Sequence, residues 1–197
     1  MTPTRSAQTW SNALGVVRRK ETCVDDQDHM ADATHGPDLL FAGEIYCDMV
    51  FAGAEVPETG GEVFADGFIL SPGGVANRAV AAARVGAHAG MLARIGSDRI
   101  GGAILSMLAQ EDGLDMSGVT VAVGRQSPVS VSVTDSRNRS FISYHEELGP
   151  SEPPRSAGPI RAIHLGIAQE LPAWVSAWRA AGTKIVGGVG WDATGEW

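Results

Sequence analysis

Apolar residues fall along the chain in short runs whose period switches between two and about 3.6. Leu39-Leu40-Phe41-Ala42-Gly43 is a brief apolar run closed by glycine, the pattern of a buried strand. Met49 to Ala54 extends it as a second strand or a bend. Glu62 to Ser71 predicts a further strand, with Val63, Ala65, Gly67 and Ile69 on one side. It ends at Pro72-Gly73-Gly74. Val75 to Val85 is then Ala-rich and predicts a helix, with Gly86 placed as its left-handed terminator. Met91 to Gly96 reads as a strand. Asp98 is positioned to cap a helix running through Ile104, Leu105 and Leu108 to Asp112, with Gly113 ending it.

Strand, helix, strand, helix in this order implies crossover connections and a parallel sheet covered by helices. The texture then changes. Val129, Val131 and Val133 alternate with Ser130, Ser132 and Thr134, and Asp135-Ser136-Arg137-Asn138 supplies turn chemistry before Ser140 to His145 returns as a partner strand. Such a hairpin has one wet face and is no central parallel strand. Pro150, Pro153, Pro154 and Pro159 mark a stiff loop. Beyond them the α/β rhythm resumes with a strand at Ile160 to Leu165, a helix from Pro172 to Ala181 closed by Gly182, and a strand at Thr183 to Val189.

Residues 1–37 mix Thr, Ser, Asp and Gln without sustained periodicity and predict a flexible extension, with a short helix near Trp10 to Arg19 as the alternative. No uninterrupted apolar stretch follows Arg18-Arg19-Lys20, so no signal peptide is expected. The most apolar window, Ala79 to Ile95, carries Arg84, His88 and Arg94, which argues against a membrane span. The net charge of −8, from 23 acidic and 15 basic residues with only two Lys, argues against a nucleic-acid partner. Cys23 and Cys47 form neither a disulfide framework nor a metal-ligand spacing, and a cytoplasmic location is expected.

Ser71-Pro72-Gly73-Gly74-Val75-Ala76-Asn77 is the most informative segment. Two glycines between a strand and a helix permit close backbone approach to a ligand, and the helix start presents free N–H donors. Asn77 adds a donor and an acceptor. The same residues also fit a tight turn with an incidental Asn. Asp48 lies just past the first strand, at the carboxyl end where ligands of open α/β sheets gather, and its carboxylate is suited to two neighbouring hydroxyls; a solvated loop Asp is the plain alternative. Gly188-Val-Gly190-Trp-Asp-Ala193 matches a relaxed dinucleotide fingerprint, but no helix follows to receive a pyrophosphate. A nucleotide-dependent oxidoreductase would need its fingerprint near the first strand, where Gly43-Glu-Ile-Tyr stands instead. His145-Glu146-Glu147 lacks a second metal-binding His, and Trp174 and Trp178 at i and i+4 read as packing.

Gly43-Glu-Ile-Tyr-Cys-Asp48, Pro72-Gly-Gly-Val-Ala-Asn77, Ala82-Ala-Arg-Val-Gly86 and Ala93-Arg-Ile-Gly-Ser-Asp98-Arg-Ile-Gly101 together resemble the amino-terminal half of the PfkB/ribokinase family of carbohydrate kinases, over residues 38–197. The resemblance implies a ribokinase-like, Rossmann-type three-layer α/β sandwich with a small β lid, its strands near residues 62–71 and 129–145. It implies that Asp48 and Asn77 hold hydroxyls of a sugar or nucleoside, and that Gly73 and Gly74 approach the substrate through their backbone. Gly96, Asp98 and Gly101 match structural positions. A homodimer through the lid is also expected from it.

Several positions depart from the ribokinase pattern. Tyr46 replaces an Asn, the loop before Asn77 is one residue shorter and lacks its Lys, the strand end at Gly166 lacks an acidic residue, and His145 stands where some ketosugar kinases carry Arg. The family's second signature, an Asp-Thr-x-Gly-Ala-Gly-Asp-like segment that supplies the catalytic base and an anion hole, does not occur in the sequence; Asp192-Ala-Thr-Gly195 comes too early in the family order to replace it. The expectation is a kinase truncated before its carboxy-terminal half, with Mg-ATP as cofactor of the intact enzyme and the nucleotide site largely absent. A non-catalytic sugar-binding or interaction fragment is the alternative.

Overall fold

A computed structural model describes residues 36–153, 158, 160–166 and 171–188. The extension expected over residues 1–37 and the segment around Asp192 lie almost wholly outside the described residues. Among the described residues eleven elements follow one another: β1 (Leu39–Ala52), β2 (Gly67–Gly74), α1 (Val75–Arg84), β3 (Ala89–Gly96), α2 (Arg99–Leu108), β4 (Leu114–Ala122), β5 (Val129–Thr134), β6 (Arg139–Tyr144), β7 (Ala162–Gly166), α3 (Ala173–Ala180) and β8 (Lys184–Gly188).

β1 is the axis of the molecule. Its first half, Leu39 to Glu44, pairs in parallel with β3, and Leu39 to Phe41 pairs in parallel with β7 on the other side. With β4 beside β3 and β8 beside β7, this makes a five-stranded parallel sheet in the order β4-β3-β1-β7-β8. The second half of the same strand leaves that sheet. Ile45 to Ala52 pairs antiparallel with β2, and Cys47 to Ala52 pairs in parallel with β5, which forms the predicted hairpin with β6. The smaller sheet β2-β1-β5-β6 is the lid. The sequence reading of a strand at Leu39 to Gly43 followed by a separate strand or bend is thus resolved as one continuous 14-residue strand. A strand so long serves two sheets, and no turn residue interrupts Glu44 to Ala52.

Helices cover both faces of the parallel sheet. Ile45, Met91, Ala93 and Ile95 pack on one face against Val75, Ala76 and Ala79 of α1 and Ile104 and Leu108 of α2. Leu40, Leu92, Ile163 and Leu165 pack on the other against Val175 and Trp178 of α3. Both faces of β3 are therefore buried from Ala89 to Ala93, as the apolar run before Arg94 requires. α1 ends where expected: Gly86, at φ 90°, donates to the Ala83 carbonyl and Ala87 donates to that of Ala82, the paired bonds that close a helix on a left-handed residue. Gly182 and Thr183 repeat this closure on α3. Trp174 and Trp178 meet edge to face, their centroids 5.1 Å apart, as packing residues.

The structure departs most from the sequence reading at β2, α2 and β4. β2 begins at Gly67 rather than Glu62 and runs through the Pro72-Gly73-Gly74 segment, because that backbone pairs with β1 as far as Ile45. α2 stops at Leu108, four residues early. β4 was not foreseen. Its Ser117, Gly118 and Thr120 dilute the apolar pattern, yet it pairs with β3 across a register shift near Met91.

Candidate functional site

The alternation of β1 decides which side chains face the site. Ile45 and Cys47 are buried in the core, so Glu44, Tyr46 and Asp48 share the opposite face, just where the strand passes from the parallel sheet into the lid. β2 runs beside them, with Gly73 opposite Tyr46 and Ser71 opposite Asp48. A side chain at Gly73 would run into the Asp48 carboxylate. At Gly74, φ is 64° and a Cβ would meet the Glu44 carbonyl and, at 3.0 Å, the Tyr46 ring. Both positions therefore require glycine for a stated steric reason.

Gly74 is also the N-cap of α1 and makes no side-chain cap, so the first N–H groups of the helix stay free. Asn77, exposed in the first turn, donates from Nδ2 to Asp48 Oδ2 at 3.5 Å. Burial pushes the Asp48 carboxyl above its ordinary range, and the bond from Asn77 pulls it partly back. The structure thus brings Asp48, Gly73, Gly74 and Asn77 together, although they come from two strands and a helix.

Beside them is a group that the sequence reading treated only as departures from a pattern. The Tyr46 hydroxyl donates to Glu44 Oε2 at 3.1 Å, and His145 Nε2 lies 2.5 Å from Glu44 Oε1. The Tyr46 and His145 rings stack at 6.5 Å. Burial, then the charge and hydrogen bond of Glu44, push the Tyr46 phenol up to about 12. Glu44 therefore ties the end of the lid hairpin to β1. The polar-apolar alternation Glu44-Ile45-Tyr46-Cys47-Asp48 was the available signal for this face.

A cleft of about 550 Å³ opens at the carboxyl ends of β1, β7 and β8, reaching from the start of α1 to the start of α3. Arg78, Arg94, His145 and His164 line it, and Glu44 is its one carboxylate among the described residues. Gly166, where the ribokinase pattern would place an acid, lies at its rim. Among the described residues no group of three or more His, Cys, Asp or Glu side chains is disposed to hold a metal ion. Within His145-Glu146-Glu147, Glu146 pairs with Arg125 at 2.6 Å. The cleft's one described carboxylate, Glu44, is engaged by Tyr46 and His145, so the described lining presents no free carboxylate to a magnesium-nucleotide. No described helix is long and apolar enough to cross a membrane.

A parallel α/β sheet whose central strand continues into a β lid, with a Gly-Gly-helix turn against a strand carboxylate, defines the ribokinase-like fold. The family model described as pfkB family carbohydrate kinase matches residues 42–163, more than half of the chain, and the chain belongs to that family. A protein assigned as a ribokinase in Agrobacterium tumefaciens is 27% identical, with a TM-score of 0.58 over 67% of this chain and 45% of its own. The fructokinase of Halothermothrix orenii is 23% identical, with a TM-score of 0.56 over 73% of this chain and 52% of its own. Arabidopsis thaliana ribokinase, solved with ribose and ATP, shares the fold at 18% identity, with a TM-score of 0.57 over 79% of this chain and 54% of its own. The chain thus spans about half the length of these solved relatives. No curated protein matches it.

Proposed function

We propose that this chain supplies the substrate-binding half of an ATP-dependent kinase that phosphorylates a hydroxyl of a sugar or nucleoside. The observation that carries the reading is the Asp48–Asn77 pair against Gly73. A half-buried carboxylate with a raised pKa and an amide with free donor and acceptor capacity form a hydroxyl-binding pair, and Gly73, having no side chain, leaves room for the Asp48 carboxylate beside it. Asp48 and Asn77 position the acceptor. In phosphoryl transfer, positioning and charge stabilisation carry nearly all of the catalysis. Mg-ATP is the expected donor.

Sugar binding without phosphoryl transfer by these 197 residues alone is the second reading. It is favoured by the described lining of the cleft, whose one carboxylate, Glu44, is already engaged by Tyr46 and His145. The experiment that separates the two is a coupled ATPase assay over a panel of sugars and nucleosides, run beside calorimetric titration of the same compounds. Binding with turnover supports the kinase. Binding without turnover supports the second reading, and no binding of any panel member removes Asp48 and Asn77 from a substrate site. We also propose that the protein pairs with a second copy of itself through the apolar face of the lid.

A further inference from the structure

We propose that the cleft beside the hydroxyl-binding pair holds an oxyanion group of the substrate, a carboxylate or a phosphate, anchored by Arg94 with Arg78 as a second cation. This rests on the reading above and adds the charge class of the substrate. On β3, Met91, Ala93 and Ile95 point into one core and Leu92 into the other, so Arg94 follows Leu92 and emerges into the cleft. Its Nε is buried and has no hydrogen-bond partner, and its Nη1 lies against the backbone of Gly149, where a Cβ would come within 2.8 Å. Among the described residues Arg94 has no carboxylate partner. Glu44 is its neighbour across β1 and β3, but that carboxylate turns instead to Tyr46 and His145.

A guanidinium removed partly from water without a counter-charge is destabilising, and an oxyanion accepting from its fork would offset that. The remaining groups point the same way. Arg78 reaches the cleft from α1 and has no carboxylate partner among the described residues. His164 lies across from it with Nδ1 buried and unpartnered; burial, then the nearby Arg78 charge, hold its imidazole pKa down, so it offers the cleft a neutral hydrogen-bonding ring. The free N–H groups at the start of α1 add a positive end to the same space. A cation-lined cleft in a chain of net charge −8 is a local feature and owes nothing to a general excess of basic residues. Four residues separate Glu44, the neighbour of Arg94, from Asp48, or about 13 Å along the strand. The arginine side chain must close part of that span for one sugar to reach it from hydroxyls at Asp48.

The test is calorimetric titration with D-ribose and D-glucose, the matching aldonates, the matching terminal phosphate esters, inorganic phosphate and ATP. Expected is affinity for at least one acidic class about tenfold or more above the neutral parent, as a charged hydrogen-bonded contact would give. Aldonate against ester identifies which oxyanion it is. Arg94→Gln should abolish that preference, and Arg78→Gln, at an exposed position, should reduce it. If Arg94→Gln does not fold, Arg94→Lys replaces it, since an ammonium cannot reproduce the fork. Equal affinity for acidic and neutral compounds, an unchanged preference in the Arg94 and Arg78 variants, or arginine dependence confined to ATP would overturn the proposal. Inorganic phosphate separates it from the kinase reading: phosphate binding lost in Arg94→Gln sustains the oxyanion subsite even where no neutral sugar binds.

Discussion

Asn77 in the first turn of α1 and Asp48 in the middle of β1 are 29 residues apart in sequence and joined by a 3.5 Å hydrogen bond, Nδ2 to Oδ2. The bond is long and is opposed by burial, and the carboxyl remains shifted upward. Asp48 is thus held in an environment that penalises its charge and that one amide only partly relieves. A ligand hydroxyl donating to it would supply the missing stabilisation.

Asp48→Asn should separate binding from stability. A carboxyl held above its ordinary value takes up its proton more readily in the fold than in the unfolded chain. The fold then loses stability as pH rises from the ordinary Asp range through the raised value. Asn keeps the shape and removes that penalty, so the ligand-free variant should melt at or above the wild-type temperature near neutral pH, and the loss across that acidic window should flatten. Affinity for the sugar should fall by about 2–4 kcal/mol, the loss of a charged partner to ligand hydroxyls. Thermal melts at several pH values and sugar titration read the two effects independently. Unchanged sugar affinity would remove Asp48 from the site.

Gly73→Ala should reproduce the binding defect without removing any polar group. The added methyl meets the Asp48 carboxylate, which must swing away and lose Asn77. Destabilisation of about 1–3 kcal/mol is expected from overpacking at a site fixed by strand pairing on β1. A variant that binds and melts like the parent would show that the carboxylate moves freely, and the close approach would then have no role.

Much of this architecture was legible because local chemistry and tertiary structure agree. Gly86 and Gly182 announced helix ends, Asp98 announced a cap, and Val129 to Thr134 announced a hairpin with one wet face. What stayed hidden depended on partners distant in sequence. The run from Leu39 to Ala52 contains no signal that half belongs to one sheet and half to another; only pairing with β3 and β7, then with β2 and β5, divides it. β4 was invisible because β3 supplies the pairing that its own polar residues do not predict. Of the residues the proposed site uses, Asp48, Gly73, Gly74 and Asn77 were singled out on motifs. Arg78, Arg94 and His164 were not, because an arginine on an exposed helix turn or a histidine in an apolar strand reads as ordinary until the topology gathers them around one cleft.

Asp98 should prove a structural residue by its pH signature. Its Oδ1 accepts from the Gly101 N–H at 2.8 Å and from the Ser127 hydroxyl at 2.7 Å, and its Oδ2 accepts from the Ser127 N–H at 2.9 Å. It thereby caps α2 and pins the chain entering β5. Burial pushes this carboxyl up, but the Gly101 and Ser127 bonds win and hold it below the ordinary Asp range. The resulting stability is fully present above that range and is lost as pH falls through the depressed value. Asp98→Ala should lose about 1–3 kcal/mol near neutral pH, the range for a cap that also satisfies a buried hydroxyl. Denaturant titrations at neutral and acidic pH should converge for variant and parent in acid. A constant gap at all pH values would assign the loss to packing instead.

The lid face turned away from Asp48 makes the remaining prediction. Phe51, Phe68, Ile142 and Tyr144 lie on that face by strand register, together with Val131 and Val133. Near the core, its inner residues Met49, Leu70 and Val129 pack down. Farther out, Phe68 is 56% and Ile142 72% exposed, and the Phe51 and Phe68 rings meet at 5.1 Å without a cover. β6 is exposed along its whole length and is an edge strand, so both an apolar surface and unpaired backbone groups are presented together. A second copy offers the same self-complementary surface, and a stable two-fold interface requires about 800 Å² from each partner, which a four-stranded lid can provide. Sedimentation velocity at tens of micromolar should therefore show a dimer. The double variant Phe68→Glu with Ile142→Glu should be monomeric with an unchanged circular dichroism spectrum, because neither side chain contributes to the core. A monomer at every concentration for the parent chain, or a dimer that survives both charges, would place the contact elsewhere and leave the apolar face without a partner.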